Sequence, residues 1–287
     1  MLLDDLNDEQ RSAAECTEGP VLIVAGAGSG KTRTLTYRIA HLMESGVDPF
    51  NILSLTFTNK AAKEMKERIV SLVGKKASNI WMGTFHSVFS KILRIEAERL
   101  GYLNSFTVYD SNDSKALIKT ILKEHNLDEK TYNKSFVLGR ISMAKSNLIS
   151  PQNYLDNAQY VSEDRAMNKP YIGEIYKEYN LRLRRAMAMD FDDLLFNMNV
   201  LLRDFPDLLL KYQEKFKYIL VDEYQDTNFS QYYIIKKLSA RYRNICVVGD
   251  DAQSIYAFRG ANIRNILDFK KDYSDAHFFK LEQNYRS

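Results

Sequence analysis

The chain has 287 residues, of which 45% are hydrophobic and 27% charged, a balance ordinary for a soluble globular protein that excludes a disordered or collagen-like chain. That length exceeds one typical domain, so two structural units, or one unit with a large insertion, are expected. Forty Lys+Arg against 37 Asp+Glu leave +3, and the surplus falls within residues 111–190, which hold 13 basic and 10 acidic side chains, a weak sign of polyanion contact there.

The apolar runs, such as residues 21–27, fall far short of the roughly 18 residues of a membrane span. The opening MLLDDLNDEQ is acidic and lacks the basic start and long apolar core of a signal peptide. Cys16 and Cys246 lie far apart and read as reduced thiols, and the four scattered histidines show no zinc spacing. A cytoplasmic enzyme or nucleic-acid protein fits; a secreted disulfide scaffold does not.

In chain order, the first strand is expected at 20–25. It runs into AGAGSGKT at 25–32 and then a helical pattern. Strand, glycine loop and helix are the context of a phosphate-binding P-loop. Gly26, Gly28 and Gly30 let the backbone curl so that its N–H groups, with those of Ala27 and Ser29, point at phosphate oxygens. Lys31 neutralises the β/γ-phosphates and Thr32 ligates magnesium. Ala25 stands where the motif has glycine, but that position ends the strand. Further strands are expected at 51–57 and 79–84.

From 104 to 188 the signals are helical, with no core strand. Residues 111–114 offer caps before Leu117, Ile118, Ile121 and Leu122. Pro170 is a first-turn proline before Tyr171, Ile175, Tyr179 and Leu183 at i+4 spacing. Asp190, with Asp193 three residues on, caps the next helix. The run Arg182, Arg184, Arg185 reads as a solvated helix face or a polyanion contact. Strands return at 216–222, 244–249 and 276–281. The first of these closes on Asp222 and Glu223: Asp222 suits a water-mediated magnesium contact, and Glu223 the orientation and deprotonation of an attacking water. The fold class is therefore α/β, a P-loop parallel sheet flanked by helices with an all-helical insertion: core at 1–103 and 189–287, insertion at 104–188.

Taken in order, LNDEQRSA, AGAGSGKT, LTFTNKAAKEM, GTFHS at 83–87, VDEYQDTN at 221–228, VVGDDAQSIYAFRGA at 247–261 and QNYRS at 283–287 resemble the motifs of UvrD/Rep/PcrA-type superfamily 1 DNA helicases. The resemblance implies a RecA-like core, ATP and Mg2+ as cofactors, and work in DNA repair or replication. It implies that Gln10 hydrogen-bonds the adenine edge, Tyr285 stacks on its face, Gln253 senses the γ-phosphate, and Arg286 approaches it as an arginine finger. Gln225 joins that network, and Arg33 either reaches the nucleotide or makes a surface salt bridge.

Single-stranded DNA, or a junction with duplex, would lie across the same sheet edge, stacking on aromatic rings without reading sequence. Phe57, and Phe258 where many members carry Trp, match base-stacking positions. Asn59, Thr84, His86, Tyr256 and Arg259 share that surface by motif. The bland readings are core for Phe57 and helix capping for His86. Lys60 and Lys63 meet phosphates or simply face solvent, and Trp81 is core. The resemblance alone gives a 3′→5′ direction, and implies a second RecA-like domain beyond QNYRS, making this chain one part of a longer motor. The rival readings are an ATP-gated nucleic-acid-binding module that never translocates and the helicase part of a helicase–nuclease.

Overall fold

The structure, a computed structural model, describes residues 2–26, 28–250 and 264–283. The chain forms two compact units, Met1–Val88 with Leu202–Ser287, and Phe89–Leu201.

In the first unit, α1 (Asp8–Glu15), β1 (Val21–Ala25), α2 (Lys31–Glu44), β2 (Ile52–Thr56), α3 (Asn59–Val73) and β3 (Trp81–Thr84) lead into α4 (Phe85–Ile95). The second unit holds the end of α4, then β4 (Thr107–Tyr109), α5 (Ser111–Glu124), α6 (Lys134–Ser146), α7 (Pro151–Asp156), α8 (Ala158–Ala166), α9 (Ile172–Arg185), β5 (Ala188–Asp190) and most of α10 (Phe191–Asp204). The chain then returns to the first unit through α11 (Pro206–Lys215), β6 (Tyr218–Val221), α12 (Phe229–Ser239), β7 (Asn244–Gly249), α13 (Arg264–Asp272) and β8 (His277–Leu281).

All six strands expected for the core are present, most shorter by a residue or two. They pair in parallel in the order β3-β2-β6-β7-β1-β8. A parallel sheet is covered on both faces, so its strands read as unbroken apolar runs. Val21, Ile23 and Ala25 enter one core with Leu35, Ile39 and Leu42 of α2 and Met65 and Ile69 of α3. The intervening Leu22 and Val24 are buried as well. Leu35, Ile39 and Leu42 follow helical spacing, and full burial of each contributes about 1.5–3 kcal/mol. The strand order places the carboxyl ends of β1, β7 and β6 side by side, where open α/β sheets bind ligands.

The second unit is built on a separate core of Ile118, Ile121, Val137, Ile141, Tyr154, Ile175, Tyr176, Tyr179 and Leu183. Ile175, Tyr179 and Leu183 of the expected α9 face are buried, but Tyr171 is exposed as the helix cap, and Pro170 precedes it instead of opening the helix. The cap of α5 is Asp110, one residue ahead of the expected stretch, because its extended backbone lets its carboxylate accept from Asn112 and Asp113 N–H. Asp190 and Asp193 exchange side-chain-to-backbone bonds as the sequence suggests. The insertion is not wholly helical: β4 and β5 form a two-stranded parallel sheet with Val108 opposite Met189. Its compact unit also extends beyond 104–188, since the passages between units fall inside continuous helices, α4 and α10.

Two of the three clustered arginines are used internally: Arg182 pairs with Glu178 and Glu124, and Arg184 donates to the Leu100 carbonyl at 3.0 Å. Lys60 and Lys63 are exposed and sit 3.9 Å from Glu64 and Glu67 along α3. Trp81 is half-buried, edge-on to Phe216 with the Lys215 ammonium over its ring. Both cysteines are free thiols.

Candidate nucleotide site

After β1 the backbone turns through Gly28 (φ 81°) and Gly30 (φ 85°), left-handed conformations that suit glycine. The Ser29 hydroxyl donates to the Gly26 carbonyl at 2.7 Å, closing the turn. Gly30 is the N-cap of α2 and offers no side-chain cap, and the first turn of α2 carries no acid. The helix therefore presents open N–H groups and its positive dipole end to an anion, beside Lys31 and Thr32.

The acids arrive from β7, next to β1, and from β6 beyond it. Lys31 Nζ lies 3.4 Å from Glu223 Oε2 and 3.3 Å from Asp250 Oδ2, and the Thr32 hydroxyl donates to Asp222 Oδ2 at 3.4 Å. Gln225 donates to Glu223 Oε2 at 2.8 Å while its own carbonyl oxygen accepts from the Asp250 N–H at 3.0 Å. Glu223 itself has φ 50°, a left-handed conformation that costs a non-glycine residue about 1–2 kcal/mol and is held by the Glu223 N–H bond to Asp222 Oδ1. Burial pushes the Asp222 carboxyl up to about 6, with the charge of Glu223 adding to it and Lys31 opposing. A buried carboxylate so raised, next to a threonine hydroxyl, is a hard-oxygen donor pair short of positive charge, which fits magnesium. Asp250, 0% exposed, is part of this cluster, and sequence reasoning did not single it out. Its signals were its place directly after the apolar run of β7 and within the motif VVGDDAQSIYAFRGA.

Gln10 is 1% exposed and faces the loop. Asn7 and Gln10 form a capping box on α1, and Gln10 Nε2 donates to the Ser29 carbonyl at 3.0 Å. A Cβ on Gly30 would stand 2.5 Å from that nitrogen, so glycine there also makes room for Gln10. Arg33 points to the N-terminal segment, donating to the Asp5 carbonyl at 2.7 Å with its guanidinium over the Tyr37 ring.

Among the candidate DNA-contacting residues, Phe57 is half-buried with its ring 5.4 Å from that of Phe85. Asn59 is exposed at the start of α3, which Thr58 caps. Thr84 Oγ1 accepts from Ser87 N–H at 3.2 Å, so Thr84, not His86, caps α4. Burial lowers His86 to about 4, leaving a neutral imidazole at physiological pH. Ala27, Gln253, Tyr256, Phe258, Arg259, Tyr285 and Arg286 lie outside the described residues.

Residues 6–274 match the UvrD/REP helicase N-terminal domain. Over all 287 residues the chain is 50% identical to proteins named ATP-dependent DNA helicase PcrA from Staphylococcus aureus and from Staphylococcus epidermidis. It spans 38% of the length of these relatives. A loop closed on three strand-end carboxylates, inside a sheet of this order, is accounted for by descent: the chain belongs to the UvrD/REP helicase N-terminal domain family.

Proposed function

We propose that the chain is the ATP-binding and DNA-binding portion of an ATP-dependent 3′→5′ DNA helicase, coupling ATP hydrolysis to movement on single-stranded DNA and duplex unwinding. The observation that carries this reading is the convergence of Lys31 and Thr32, which follow β1, with Asp222 and Glu223, which follow β6, across the intervening β7. Lys31 and the N-terminus of α2 hold the phosphates and offset transition-state charge. Glu223, fixed by Gln225, takes the proton of the attacking water. Magnesium, held by Thr32 and Asp222, would supply further charge neutralisation at the β/γ-phosphates. Among the described residues no cluster of three or more His, Cys, Asp or Glu forms a metal site of its own, which suits a cation that arrives with the nucleotide.

Gln10 meets the adenine edge by exchanging its bond to Ser29, and Arg33 by leaving Asp5. Tyr285 and Arg286 complete the site, with a second RecA-like domain of the same protein as its other wall. Phe57, Asn59, Thr84 and His86 face single-stranded DNA together with Tyr256, Phe258 and Arg259, with Gln253 linking them to the γ-phosphate. No described helix is long and apolar enough to cross a membrane.

DNA-stimulated ATP hydrolysis, measured for this chain and for a full-length parent, tests the reading. Hydrolysis stimulated by single strands in the parent and lost in Lys31→Ala is the expected result; a Lys31→Ala parent with normal turnover would refute it. Phe57→Ala is expected to weaken single-strand binding by about 1–3 kcal/mol, similarly on different mixed sequences.

A further inference from the structure

Asp250 directly follows β7 and has no role in the assignments above. A carboxylate with no exposure costs several kcal/mol unless a positive charge and hydrogen bonds compensate it. Here a positive charge is Lys31, 3.3 Å away. The backbone is fixed as well, since the Asp250 N–H donates to Gln225, the same side chain that holds Glu223. One ammonium therefore serves two carboxylates, one of them fully enclosed, and a single glutamine sets the positions of both. The strand order makes this possible, because β7 lies between β1 and β6.

Lys31 cannot lie at full strength against both Asp250 and a nucleotide's phosphates. Bringing in phosphates must draw the ammonium away from a carboxylate that water cannot reach. We propose that Asp250 is a positioning residue that holds Lys31 and competes with nucleotide phosphates for it. This rests on the reading of the site as a nucleotide site. Competition for one group is reciprocal: whatever free energy Asp250 gains from Lys31 is taken from nucleotide affinity.

The test is a binding titration with a fluorescent ATP analogue and magnesium, on the full chain as wild type, Asp250→Asn, Lys31→Ala and the double variant. Asp250→Asn is expected to bind at least about fivefold more tightly, the lower end of typical coupling between sites. In the Lys31→Ala background the same change should alter affinity by less than about twofold. Asp250→Asn binding no more tightly overturns the proposal. So does equal tightening in both backgrounds, which would mark plain charge repulsion. A wild type that does not bind, or a Lys31→Ala variant that binds like wild type, refutes the nucleotide-site reading instead. Where Asp250→Asn does not fold, Asp250→Ser is expected to tighten binding and Asp250→Glu to leave it nearly unchanged. Failure of all three to fold would assign Asp250 to stability alone and overturn the proposal.

Discussion

Two lysines in this molecule stand between pairs of carboxylates, and they are built differently. In the second unit Lys145 has a side chain 1% exposed, with Asp190 at 2.7 Å and Asp193 at 2.8 Å. These are the distances of full charge-assisted hydrogen bonds. The Tyr179 hydroxyl also donates to Asp190 at 2.9 Å, and the two aspartates cap α10 for each other. Burial pulls the Lys145 ammonium down, but the two carboxylates outweigh it and hold it well above its ordinary value. In the first unit Lys31 lies 3.3–3.4 Å from its partners, one of which, Glu223, has a side chain 35% exposed. A saturated, enclosed pair has nothing left for a ligand and locks one arrangement of α6 against the β5–α10 junction. A longer, partly open pair on a glycine loop leaves the ammonium able to change partners.

The sharpest test of that contrast is at Glu223. Glu223→Gln is expected to lower ATP turnover about 10²–10⁴-fold, the worth of a general base, while nucleotide stays bound in an equilibrium titration. At the other lysine the loss should appear in stability. Lys145→Met strands two buried carboxylates and is expected to cost about 3–5 kcal/mol in denaturant unfolding. A Lys145→Met variant of unchanged stability but impaired turnover would erase the distinction.

A smaller effect is expected from Gly30→Ala, which places a side chain in a left-handed conformation against Gln10. It should cost about 1–2 kcal/mol of stability, visible as a lower melting temperature, together with weaker nucleotide binding. The smallest concerns pH. Magnesium-dependent nucleotide binding should weaken by up to about tenfold per unit as pH falls below about 6, where Asp222 takes up a proton. The fold should not weaken on this account. Because the folded value lies above the ordinary 3.8, ionised Asp222 opposes stability above about 6, and acid relieves that penalty. Binding that is flat from pH 8 to 5 would remove Asp222 from the cation site.

The sequence shows the strands of the core clearly because burial on both faces leaves runs such as VLIV, YILV and ICVVG with little polar interruption. The P-loop is legible for a similar local reason: its chemistry is contiguous. Asp222 and Glu223 are legible as an acidic strand end and within the motif VDEYQDTN, but their meeting with Lys31 depends on a strand order no local pattern contains. Asp250 and Lys145 were overlooked on those grounds. Lys145 is a single charged residue in an unremarked stretch, Asp250 stands in a motif whose other residues drew the assignments, and their partners are 45 and 219 residues away. The strands β4 and β5 are three residues each, too short for a period-2 pattern to emerge. The cap of α5 slipped by one residue because Asp110 and Ser111 are both good caps, and backbone conformation decided between them.

Gln10 joins the first helix to the phosphate loop, and this bears on how the protein is handled at the bench. The amide that supports the Ser29 carbonyl belongs to a helix that begins only eight residues into the chain. Trimming to Val21 to keep only the sheet would therefore remove a support of the loop without altering any residue in it. Affinities from such preparations would describe a different site from the one the whole segment builds.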